Sequence, residues 1–358
     1  MEGLVDMLGF YKNKKVFITG HTGFKGSLLS NILLMSGAEV LGYSKEPNTN
    51  PALFNILQLD KKMISIISDI RNYDKLYKVM SDFEPDIVFH LASQPLVLES
   101  YENPRYTYET NVMGTVNVLE AVRMIKSVKS VVNVTTDKVY ENKEWIWGYR
   151  ENEKLNGFDP YSNSKSCSEL VTSSYKKSFF DKYEIAISTA RAGNVIGGGD
   201  FSEDRILPDC VRSAMDSKDI ILRNPNSIRP YQHVFEALKA YLMIAQKQFE
   251  DTRFQGEYNI GPDEDGCIQT KDIADKFCNL WGDAKWKSEN VLNNKHEANL
   301  LRLDCSKIKT KFDWCQKLNI DESVKYTVDW YKEYYYGSNI IEFTEKQIKE
   351  YFGGKIGV

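Results

Sequence analysis

The first half of the chain alternates short apolar runs with longer segments whose apolar residues recur at helical spacing. Lys15-Val-Phe-Ile-Thr19 predicts a strand, and the stretch Ser27–Met35, ended by Gly37, predicts the helix that follows it. Strands that alternate with helices of this length are typical of a parallel sheet covered on both faces. Further strands are predicted at Glu39–Tyr43, Met63–Ile67, Asp86–His90, Ser130–Thr135 and Glu184–Ala190. The clearest helices are predicted at Tyr73–Phe83, Arg105–Ile125 and Tyr161–Phe180.

The pattern changes after about Arg191. Glycine and proline cluster in longer loops, as at Gly197-Gly-Gly199, and the predicted strands Ile220–Leu222 and Glu257–Ile260 stand isolated. The sequence contains no internal repeat or linker that would separate an independent domain. We therefore expect an α/β fold, a Rossmann-type doubly wound parallel sheet built mainly from residues 1–190. Residues 191–358 are expected to form a smaller C-terminal lobe woven onto that sheet.

Composition and charge narrow the class of protein. The chain is 42% apolar, which is enough for a substantial core, yet no apolar run approaches the roughly 20 residues that span a bilayer. Residues 1–13 lack the layout of a signal peptide, so we expect a cytoplasmic protein. The net charge of −4 and evenly spread basic residues do not favour nucleic-acid binding. The six cysteines and four histidines are scattered, and we expect no metal site.

A glycine-rich loop, Gly20-His-Thr-Gly23-Phe-Lys-Gly26, follows the first predicted strand and opens the first helix. Glycines there permit a tight turn, let the backbone approach a pyrophosphate and leave the helix N-terminus pointing at the anion. A GxxGxxG alone also fits a structural turn, but its place at the first strand–helix junction favours a dinucleotide. The candidate cofactor-binding residues of this loop are Gly20, His21, Thr22, Gly23, Phe24, Lys25 and Gly26.

The end of the second predicted strand leaves the choice between NAD and NADP open. Many NAD-binding folds place an acid there for the ribose hydroxyls, whereas this chain has Ser44-Lys45-Glu46, and Lys45 could tolerate a 2′-phosphate. Asp69 and Ile70, after the third strand, are candidates for contact with the adenine. Other candidates are Leu91, Ala92 and Ser93, which could instead be a closely packed strand end, together with Thr110 and Thr135.

Tyr161-Ser-Asn-Ser-Lys165 places a phenol and an ammonium one helical turn apart on the same face. A nearby cation stabilises the phenolate and lowers the pKa of tyrosine toward a value useful for a general base. Such a pair also arises by chance on a helix surface. The position of Thr136, at the end of the fifth predicted strand, favours the catalytic interpretation.

Together, Gly20–Gly26, Thr136, Tyr161 and Lys165 resemble the extended short-chain dehydrogenase/reductase superfamily in order and spacing. More specifically, Thr136-Asp137-Lys138 resembles the Thr-Asp-Glu signature of nucleotide-sugar 4,6-dehydratases. The likeness is strongest to the CDP-glucose branch and extends over nearly the whole chain. Its carriers are residues 20–26, His90–Leu96, Asn111–Thr115, Trp147–Glu153, Arg191–Asp200 and Arg223–Val234.

This resemblance implies an NAD-dependent enzyme that converts CDP-glucose into its 4-keto-6-deoxy derivative. It implies that Thr136 and Tyr161 address a substrate hydroxyl, that Lys165 holds the nicotinamide ribose and that Asp137 takes part in eliminating the C6 hydroxyl. The dTDP-glucose enzymes carry a glutamate, the proposed C5 base, where this chain has Lys138. A lysine base must be neutral, so the role of Lys138 stays open.

The resemblance also assigns substrate contacts. It points to Asn194, Arg205 and Arg229 for the nucleotide sugar and to Gln94 for the sugar ring; without it, each arginine reads as a solvated surface charge. Two other readings compete with the dehydratase. One is a 4,6-dehydratase of another nucleotide sugar, or a 4-epimerase or reductase, and the other is a catalytically silent dinucleotide sensor.

The helices predicted at Arg105–Ile125 and Tyr161–Phe180 carry apolar or small residues beyond one face. In the superfamily such helices commonly pair across a two-fold axis, so we expect a homodimer joined by a four-helix bundle. The alternative is that both helices pack only on the sheet. The residues concerned are Val112, Val116, Leu119, Cys167, Leu170, Val171 and Tyr175.

Overall fold

The fold is organised around one parallel β-sheet. The computed structural model describes residues 7–288 and 300–353. Outside that range lie the start of the N-terminal stretch 1–13 and, in the expected C-terminal lobe, residues 289–299 and 354–358. The strands are β1 (Lys15–Thr19), β2 (Glu39–Ser44), β3 (Ile64–Ile67), β4 (Ile87–His90), β5 (Ser130–Val134), β6 (Ala186–Ala192), β7 (Asn194–Ile196), β8 (Ile220–Leu222), β9 (Ile228–His233), β10 (Glu257–Ile260), β11 (Cys267–Gln269) and β12 (Trp286–Ser288).

Seven of these strands pair in parallel, in the order β3-β2-β1-β4-β5-β6-β10. Every residue of β4, β5 and β6 is buried, because helices cover both faces of the sheet. This burial explains why the central strands read as continuous apolar runs. The predicted doubly wound parallel sheet is confirmed, and the predicted bounds of its strands agree with the structure to within two residues.

Helices flank the sheet and complete the C-terminal region. Those at Arg105–Ile125 and Tyr161–Phe180 were each predicted as one helix, and each contains a π-helical turn, Glu109–Met113 in the first and Lys176–Phe180 in the second. Within the described residues, no helix combines the length and apolarity needed to cross a bilayer. The helices are α1 (Phe24–Met35), α2 (Leu53–Ile56), α3 (Tyr73–Phe83), α4 (Val97–Glu102), α5 (Pro104–Tyr108), α6 (Gly114–Met124), α7 (Pro160–Tyr175), α8 (Asp181–Tyr183), α9 (Ile206–Met215), α10 (Val234–Glu250), α11 (Thr270–Trp281), α12 (Ser306–Phe312), α13 (Ile320–Tyr336) and α14 (Ile340–Phe352).

The strand order reverses between β1 and β4, and a crevice opens beyond the carboxyl ends of such strands. The glycine loop packs tightly at this point. Gly20 has a φ of +77°, and a Cβ there would lie 2.7 Å from the backbone nitrogen of Ala92. A Cβ on Gly26 would lie 2.1 Å from the carbonyl oxygen of Gly20. Glycine is therefore required at both positions for the loop to pack against the start of α1 and the end of β4.

The C-terminal region contributes to the main sheet as well as to its own smaller sheets. β11, β9 and β7 form a three-stranded sheet, and β12 pairs with β8. The sequence pattern leaves Glu257–Ile260 isolated, but as β10 it extends the main sheet, pairing in parallel with β6. Sequence periodicity cannot identify a pairing partner about 65 residues away. Helix α10 also packs on the sheet, where Ser130 Oγ donates to the carbonyl of Ala245 at 2.9 Å.

Candidate active site

A cleft of about 1060 Å³ runs across the carboxyl ends of the parallel strands. It brings together nearly all of the residues that the sequence nominates, although they are scattered along more than 200 positions. The nominated residues that line it are Gly20, Thr22, Gly23, Phe24, Lys25, Gly26, Asp69, Ile70, Leu91, Ala92, Ser93, Gln94, Thr110, Thr135, Thr136, Asp137, Lys138, Tyr161, Lys165, Asn194, Arg205 and Arg229.

His21 is the nominated residue whose side chain lies elsewhere. Its ring is buried beneath β2 and β3, where Nε2 hydrogen-bonds Ser65 Oγ at 2.8 Å and the ring meets Phe54 edge-on. A Cβ on Gly42 would approach this ring to 2.2 Å, so Gly42 makes the space that the ring fills. Burial lowers the pKa of His21 to about 4, which keeps the imidazole neutral. The side chain of His21 therefore has a packing role, and the contact of this residue with a cofactor stays a prediction.

The helix that carries Tyr161 and Lys165 begins with a strong N-terminal cap. Asp159 accepts hydrogen bonds from the backbone nitrogen and the hydroxyl of Ser162, at 2.9 and 2.6 Å, and Pro160 occupies the first helical position. Tyr161 therefore stands at the start of α7 with Lys165 one turn later. Both side chains enter the cleft, and Lys165 Nζ donates to the carbonyl of Val134 at 3.1 Å.

Burial shifts the ionisation of both groups. It raises the pKa of Tyr161 to about 12, against the opposing effects of a hydrogen bond from Thr136 and the charge of Arg205. It lowers the pKa of Lys165 to about 8, against the opposing charge of Glu169. A lysine whose pKa lies close to physiological pH can gain or lose a proton there, and the pKa of a phenol beside it depends on whether the lysine is charged.

Asp137 begins the short 3₁₀ turn after β5 and is 1% exposed. Its Oδ1 accepts a hydrogen bond from the hydroxyl of Thr136 at 3.0 Å, while Oδ2 has no hydrogen-bond partner among the described residues. Burial raises the pKa of Asp137, and the charge of Lys138, the Thr136 hydrogen bond and the charge of Arg229 oppose that rise. Burial prevails, so the carboxyl group favours its protonated form more than an exposed aspartate does.

Arg205 and Arg229 extend from the C-terminal region toward these groups. Arg205 lies at the N-terminus of α9 with Nε 3.7 Å from the carboxylate of Asp200, and its charge lowers the pKa of Tyr161. Arg229, in β9, exerts the same effect on the pKa of Asp137. Two cations therefore stand over the catalytic end of the cleft, where an anionic substrate group would meet them.

Gln94 lines the cleft, and its side-chain amide is hydrogen-bonded within the protein. Its Nε2 donates to Thr107 Oγ1 at 2.9 Å and to the carbonyl of Leu96 at 3.1 Å, and its Oε1 accepts from the backbone nitrogen of Leu96. These bonds fold the loop between β4 and α4 on itself. The side chain therefore holds this loop, a role that neither its position nor its residue type reveals in the sequence, and its contact with a sugar ring stays a prediction.

The residues at the other end of the cleft suit a dinucleotide. The N-cap of α1 is Gly23, which has no side chain to cap the first turn, so the amides there are available to a diphosphate. The hydroxyl of Thr110 lines the cleft, is buried and has no hydrogen-bond partner within the described residues. Asp69 and Ile70 close this end, and Arg71 holds the carboxylate of Asp69 through two hydrogen bonds of 3.1 and 2.9 Å.

Comparison with known proteins identifies the family. The sequence model of the family described as GDP-mannose 4,6 dehydratase matches residues 17–327. This chain belongs to that family. A relative from Salmonella typhimurium, described as a CDP-glucose 4,6-dehydratase, is 46% identical over 349 residues, which are 96% of this chain and 97% of the relative. The resemblance to nucleotide-sugar 4,6-dehydratases that the motifs indicate is confirmed.

Solved structures share the fold of this GDP-mannose 4,6-dehydratase family member. A dTDP-glucose 4,6-dehydratase from Bacillus anthracis, in complex with NAD, superposes with a TM-score of 0.73 at 22% identity, covering 89% of this chain and 97% of that one. A UDP-glucose 4-epimerase from Thermotoga maritima reaches a TM-score of 0.78 at 20% identity, covering 90% and 99%. Because a dehydratase and an epimerase superpose similarly well, the overall fold does not distinguish their reactions.

The cleft of this GDP-mannose 4,6-dehydratase family member also holds features that sequence reasoning did not predict, namely the environment of Lys25 and several further residues. Lys25 was nominated as part of the glycine loop, yet its ammonium reaches the catalytic end, 3.4 Å from the hydroxyl of Tyr241. Burial, followed by the charges of Arg205 and Lys165, lowers the pKa of Lys25 to about 7. A lysine inside a GxxGxxG was the available signal. Other missed residues of the cleft are Asp200, Asp204, Arg223, Asn224, Ser227, Tyr231 and Thr270.

Proposed function

We propose that this chain is a CDP-glucose 4,6-dehydratase, which removes water from CDP-glucose to give CDP-4-dehydro-6-deoxy-D-glucose. The observation that carries the proposal is the buried Asp137, which favours protonation beside Thr136 and lines the same cleft as Tyr161. A 4-epimerase needs no acid against C6, whereas an elimination does. The 46% identity to the Salmonella typhimurium enzyme over nearly the full length supports CDP-glucose as the substrate.

NAD is the cofactor of this proposal. The glycine loop and the first turn of α1 hold its diphosphate, Asp69 and Ile70 border the adenine, and Lys165 holds the nicotinamide ribose. NAD held there would supply a recycled hydride acceptor and donor, accepting from C4 of the sugar and giving back to C6, so that the reaction needs no external oxidant. The glycines leave the backbone close to the ligand, and the buried hydroxyl of Thr110 offers a further hydrogen bond.

The protein groups divide the proton transfers between them. Tyr161 takes the proton of the C4 hydroxyl, and the hydroxyl of Thr136 orients that oxygen. Arg205 supplies positive charge that lowers the pKa of Tyr161. Lys165, one turn away on the same face of the helix, is assigned the same role in this proposal, because a nearby cation stabilises a phenolate. The ketone formed at C4 acidifies the hydrogen on C5, which prepares the sugar to lose its C6 hydroxyl.

Asp137 supplies the proton for that loss. Its unpartnered Oδ2 is available to a sugar hydroxyl, and the rise of its pKa on burial increases the protonated fraction. Lys138 follows it in the cleft as a further catalytic candidate, and its positive charge opposes protonation of Asp137. In this charged form Lys138 cannot accept the C5 proton, so its contribution is the stabilisation of negative charge on the sugar. The two neighbours therefore form an acid and a cation side by side, which suits an elimination that builds negative charge on the sugar.

Residues 191–358 mainly form the nucleotide-sugar-binding lobe in this proposal, while residues 1–190 mainly form the NAD-binding domain. Arg205 and Arg229 are placed to pair with the pyrophosphate of the substrate, because a planar guanidinium matches its oxygens, and Asn194 adds hydrogen-bonding capacity beside them. All six cysteines are free thiols, which fits a reducing compartment, so the proposed location is the cytoplasm.

The proposed assembly is a homodimer through α6 and α7. Leu119, one of the residues expected at such an interface, is buried against the sheet, but Leu170 and Met113 on the outer faces of these helical stretches are 58% and 51% exposed. Leu170→Lys should therefore convert a dimer into a monomer in sedimentation at micromolar concentration. Ile146→Lys is the control, because Ile146 is 70% exposed, more than Leu170, and lies on a loop outside both helices. A monomeric parent protein contradicts this assembly.

One assay tests the proposed reaction. The purified protein is incubated with NAD and CDP-glucose, and the nucleotide sugar is examined by mass spectrometry and NMR for loss of water and a C6 methyl group. The same assay with dTDP-, GDP- and UDP-glucose tests the nucleotide. A product that keeps the C6 hydroxyl and inverts C4 would identify an epimerase, and unchanged CDP-glucose alongside conversion of another nucleotide sugar would transfer the activity to that substrate.

A further inference from the structure

The catalytic helix carries a third ionisable residue that the reaction as described does not use. Tyr161, Lys165 and Glu169 are spaced four residues apart on α7, so they share one face of the helix. Glu169 is 2% exposed and lies one turn deeper than Lys165, behind the cleft that the first two residues line.

The carboxylate of Glu169 is bound at both oxygens by neighbouring strands. Oε1 accepts from the hydroxyl of Thr135 at 2.5 Å and from Arg191 Nε at 3.0 Å. Oε2 accepts from the hydroxyl of Thr189 at 2.7 Å and from Arg191 Nη2 at 2.9 Å. Thr135 directly precedes Thr136, whereas Thr189 and Arg191 belong to β6. One side chain thereby ties the catalytic helix to the end of β5 and to β6.

Arg191 extends the same hydrogen-bond network to the segment that follows Lys138. Its Nη1 donates to the hydroxyl of Tyr140 at 2.8 Å and to the carbonyl of Glu151 at 2.9 Å. Tyr140 in turn donates to Asn259 Oδ1, in β10, at 2.6 Å. The ion pair between Arg191 and Glu169 is almost wholly buried, with side chains 2% and 1% exposed. Burying an ion pair costs desolvation free energy, so the pair between Arg191 and Glu169 indicates a role beyond stability.

We propose that Glu169 is a positioning residue, which fixes the strand end that carries Thr136 against the catalytic helix and places a buried negative charge one helical turn behind Lys165. This inference rests on the proposed function, because it assigns to Lys165 a positive charge that the reaction uses. Glu169 touches neither substrate nor cofactor and acts through Lys165 and Thr135.

The groups that surround Lys165 explain why Glu169, and not another of them, stabilises its ammonium. Lys25, from the first turn of α1, repels the ammonium of Lys165, and its own pKa is lowered in return. His90, from β4, is neutral because burial, with Lys165 nearby, lowers its pKa to about 3. The carbonyl of Val134 accepts a hydrogen bond but carries no charge. Glu169 is the charge that raises the pKa of Lys165 against burial.

The test is Glu169→Gln, which keeps the size of the side chain and removes its charge. The loss of the anion and the unbalanced cation of Arg191 both act to lower the pKa of Lys165. Competitive labelling of the cofactor-free protein with acetic anhydride, read at Lys165 by mass spectrometry across pH, reports that pKa without any substrate. We expect the labelling midpoint of Lys165 to fall by about one pH unit.

Thr189→Val is the matched control. It removes a hydrogen bond from the same carboxylate in an equally buried place but leaves the charge of Glu169 intact, so the midpoint of Lys165 should not move. Glu169→Asp keeps the charge and shortens the side chain, so it should preserve the midpoint while lowering kcat. Glu169→Asp also tests the proposal if Glu169→Gln does not fold. Because Glu169→Asp keeps the negative charge, a fall of the Lys165 labelling midpoint by about one pH unit in this variant would overturn the proposal.

The labelling experiment on Glu169 can be interpreted whether or not the protein catalyses the proposed reaction. Failure to convert CDP-glucose would refute the function and leave the labelling result standing on its own. An unchanged Lys165 midpoint in folded Glu169→Gln, or the same shift in Thr189→Val, would show that Glu169 is a structural anchor alone and would overturn the inference.

Discussion

The hydroxyl of Thr136 donates to Oδ1 of Asp137 at 3.0 Å, and the other oxygen of that carboxyl group has no hydrogen-bond partner in the described part of the chain. The bond fixes the rotation of the carboxyl group, because one of its oxygens is anchored to the adjacent residue. The remaining oxygen keeps its hydrogen-bonding capacity unused. In a buried carboxyl group that favours protonation, this is the oxygen that can carry a proton to a leaving hydroxyl.

Asp137→Asn should separate the oxidation of C4 from the loss of water. The amide keeps the size of the side chain but cannot deliver a proton to the C6 hydroxyl, so we expect product formation to slow roughly 10²–10⁴-fold. CDP-4-keto-glucose that still carries its C6 hydroxyl should accumulate. Reduction of the reaction mixture with borohydride, followed by sugar analysis, detects it.

Tyr161→Phe provides the contrast to that variant. It removes the base for the C4 hydroxyl, so neither the product nor the 4-keto sugar with an intact C6 hydroxyl should form. If both variants block formation of the 4-keto sugar equally, Asp137 serves the first step or holds the substrate, and the proposed division of labour is wrong.

The activity should fall as the pH rises through about 8. Burial lowers the pKa of Lys165 to about that value, and the phenolate of Tyr161 needs the lysine to be protonated. The charged form is present below this pKa and is lost above it, so kcat/KM should show an alkaline limb there. Lys165→Arg keeps a charge that does not titrate in this range, so its lower activity should lack that limb. An alkaline limb retained at the same pH in Lys165→Arg would assign it to another group.

Gly198→Ala should destabilise the fold. A Cβ at this position would lie 2.0 Å from Cγ of Trp330 in α13, so helix and loop must move apart. Overpacking of this kind costs roughly 1–3 kcal/mol. Urea unfolding of the variant should show the loss. Gly9→Ala is the control, because a Cβ there has nothing within 4 Å, and equal stability of both variants would contradict the expected clash.

NAD should bind more tightly than NADP, with modest affinity. The residue after β2 is Lys45, whose ammonium lies 3.3 Å from the hydroxyl of Tyr106, so no acid follows β2 directly to bind the ribose hydroxyls. Lys45→Asp should tighten NAD and weaken NADP, because a carboxylate accepts from the hydroxyls and repels a 2′-phosphate. Titration of the cofactor-free protein measures both, with Lys61→Asp as a distant control. Tighter binding of NADP by the parent protein would contradict this expectation.

Local signals in the sequence were sufficient for the sheet and for most of the cleft. β1 and the glycine loop could be located because continuous apolar runs and glycines reflect requirements of the adjacent backbone alone. Tyr161 and Lys165 could be paired because helical spacing fixes which residues share a face. Their convergence with Thr136 follows from parallel strands, whose carboxyl ends meet at one edge of the sheet.

Properties set by distant residues could not be predicted in this way. The orientation of His21 depends on Gly42 and Ser65, and the engagement of Gln94 depends on Thr107. The pKa of Lys25 depends on burial and on Arg205, which lies 180 positions further along the chain. Each of these properties arises only when the two regions have folded against each other.

The insertion of β10 beside β6 has a consequence for protein engineering. A gene fragment that ends after β6 would encode a sheet with an open edge, and it would also lack α10, which is hydrogen-bonded to β5 through Ser130 and to β6 through Ser188. Open edges of this kind invite pairing between molecules and aggregation. Chimaeras that exchange nucleotide specificity between relatives should therefore keep residues 186–260 from a single parent, and place their junctions in loops outside that segment.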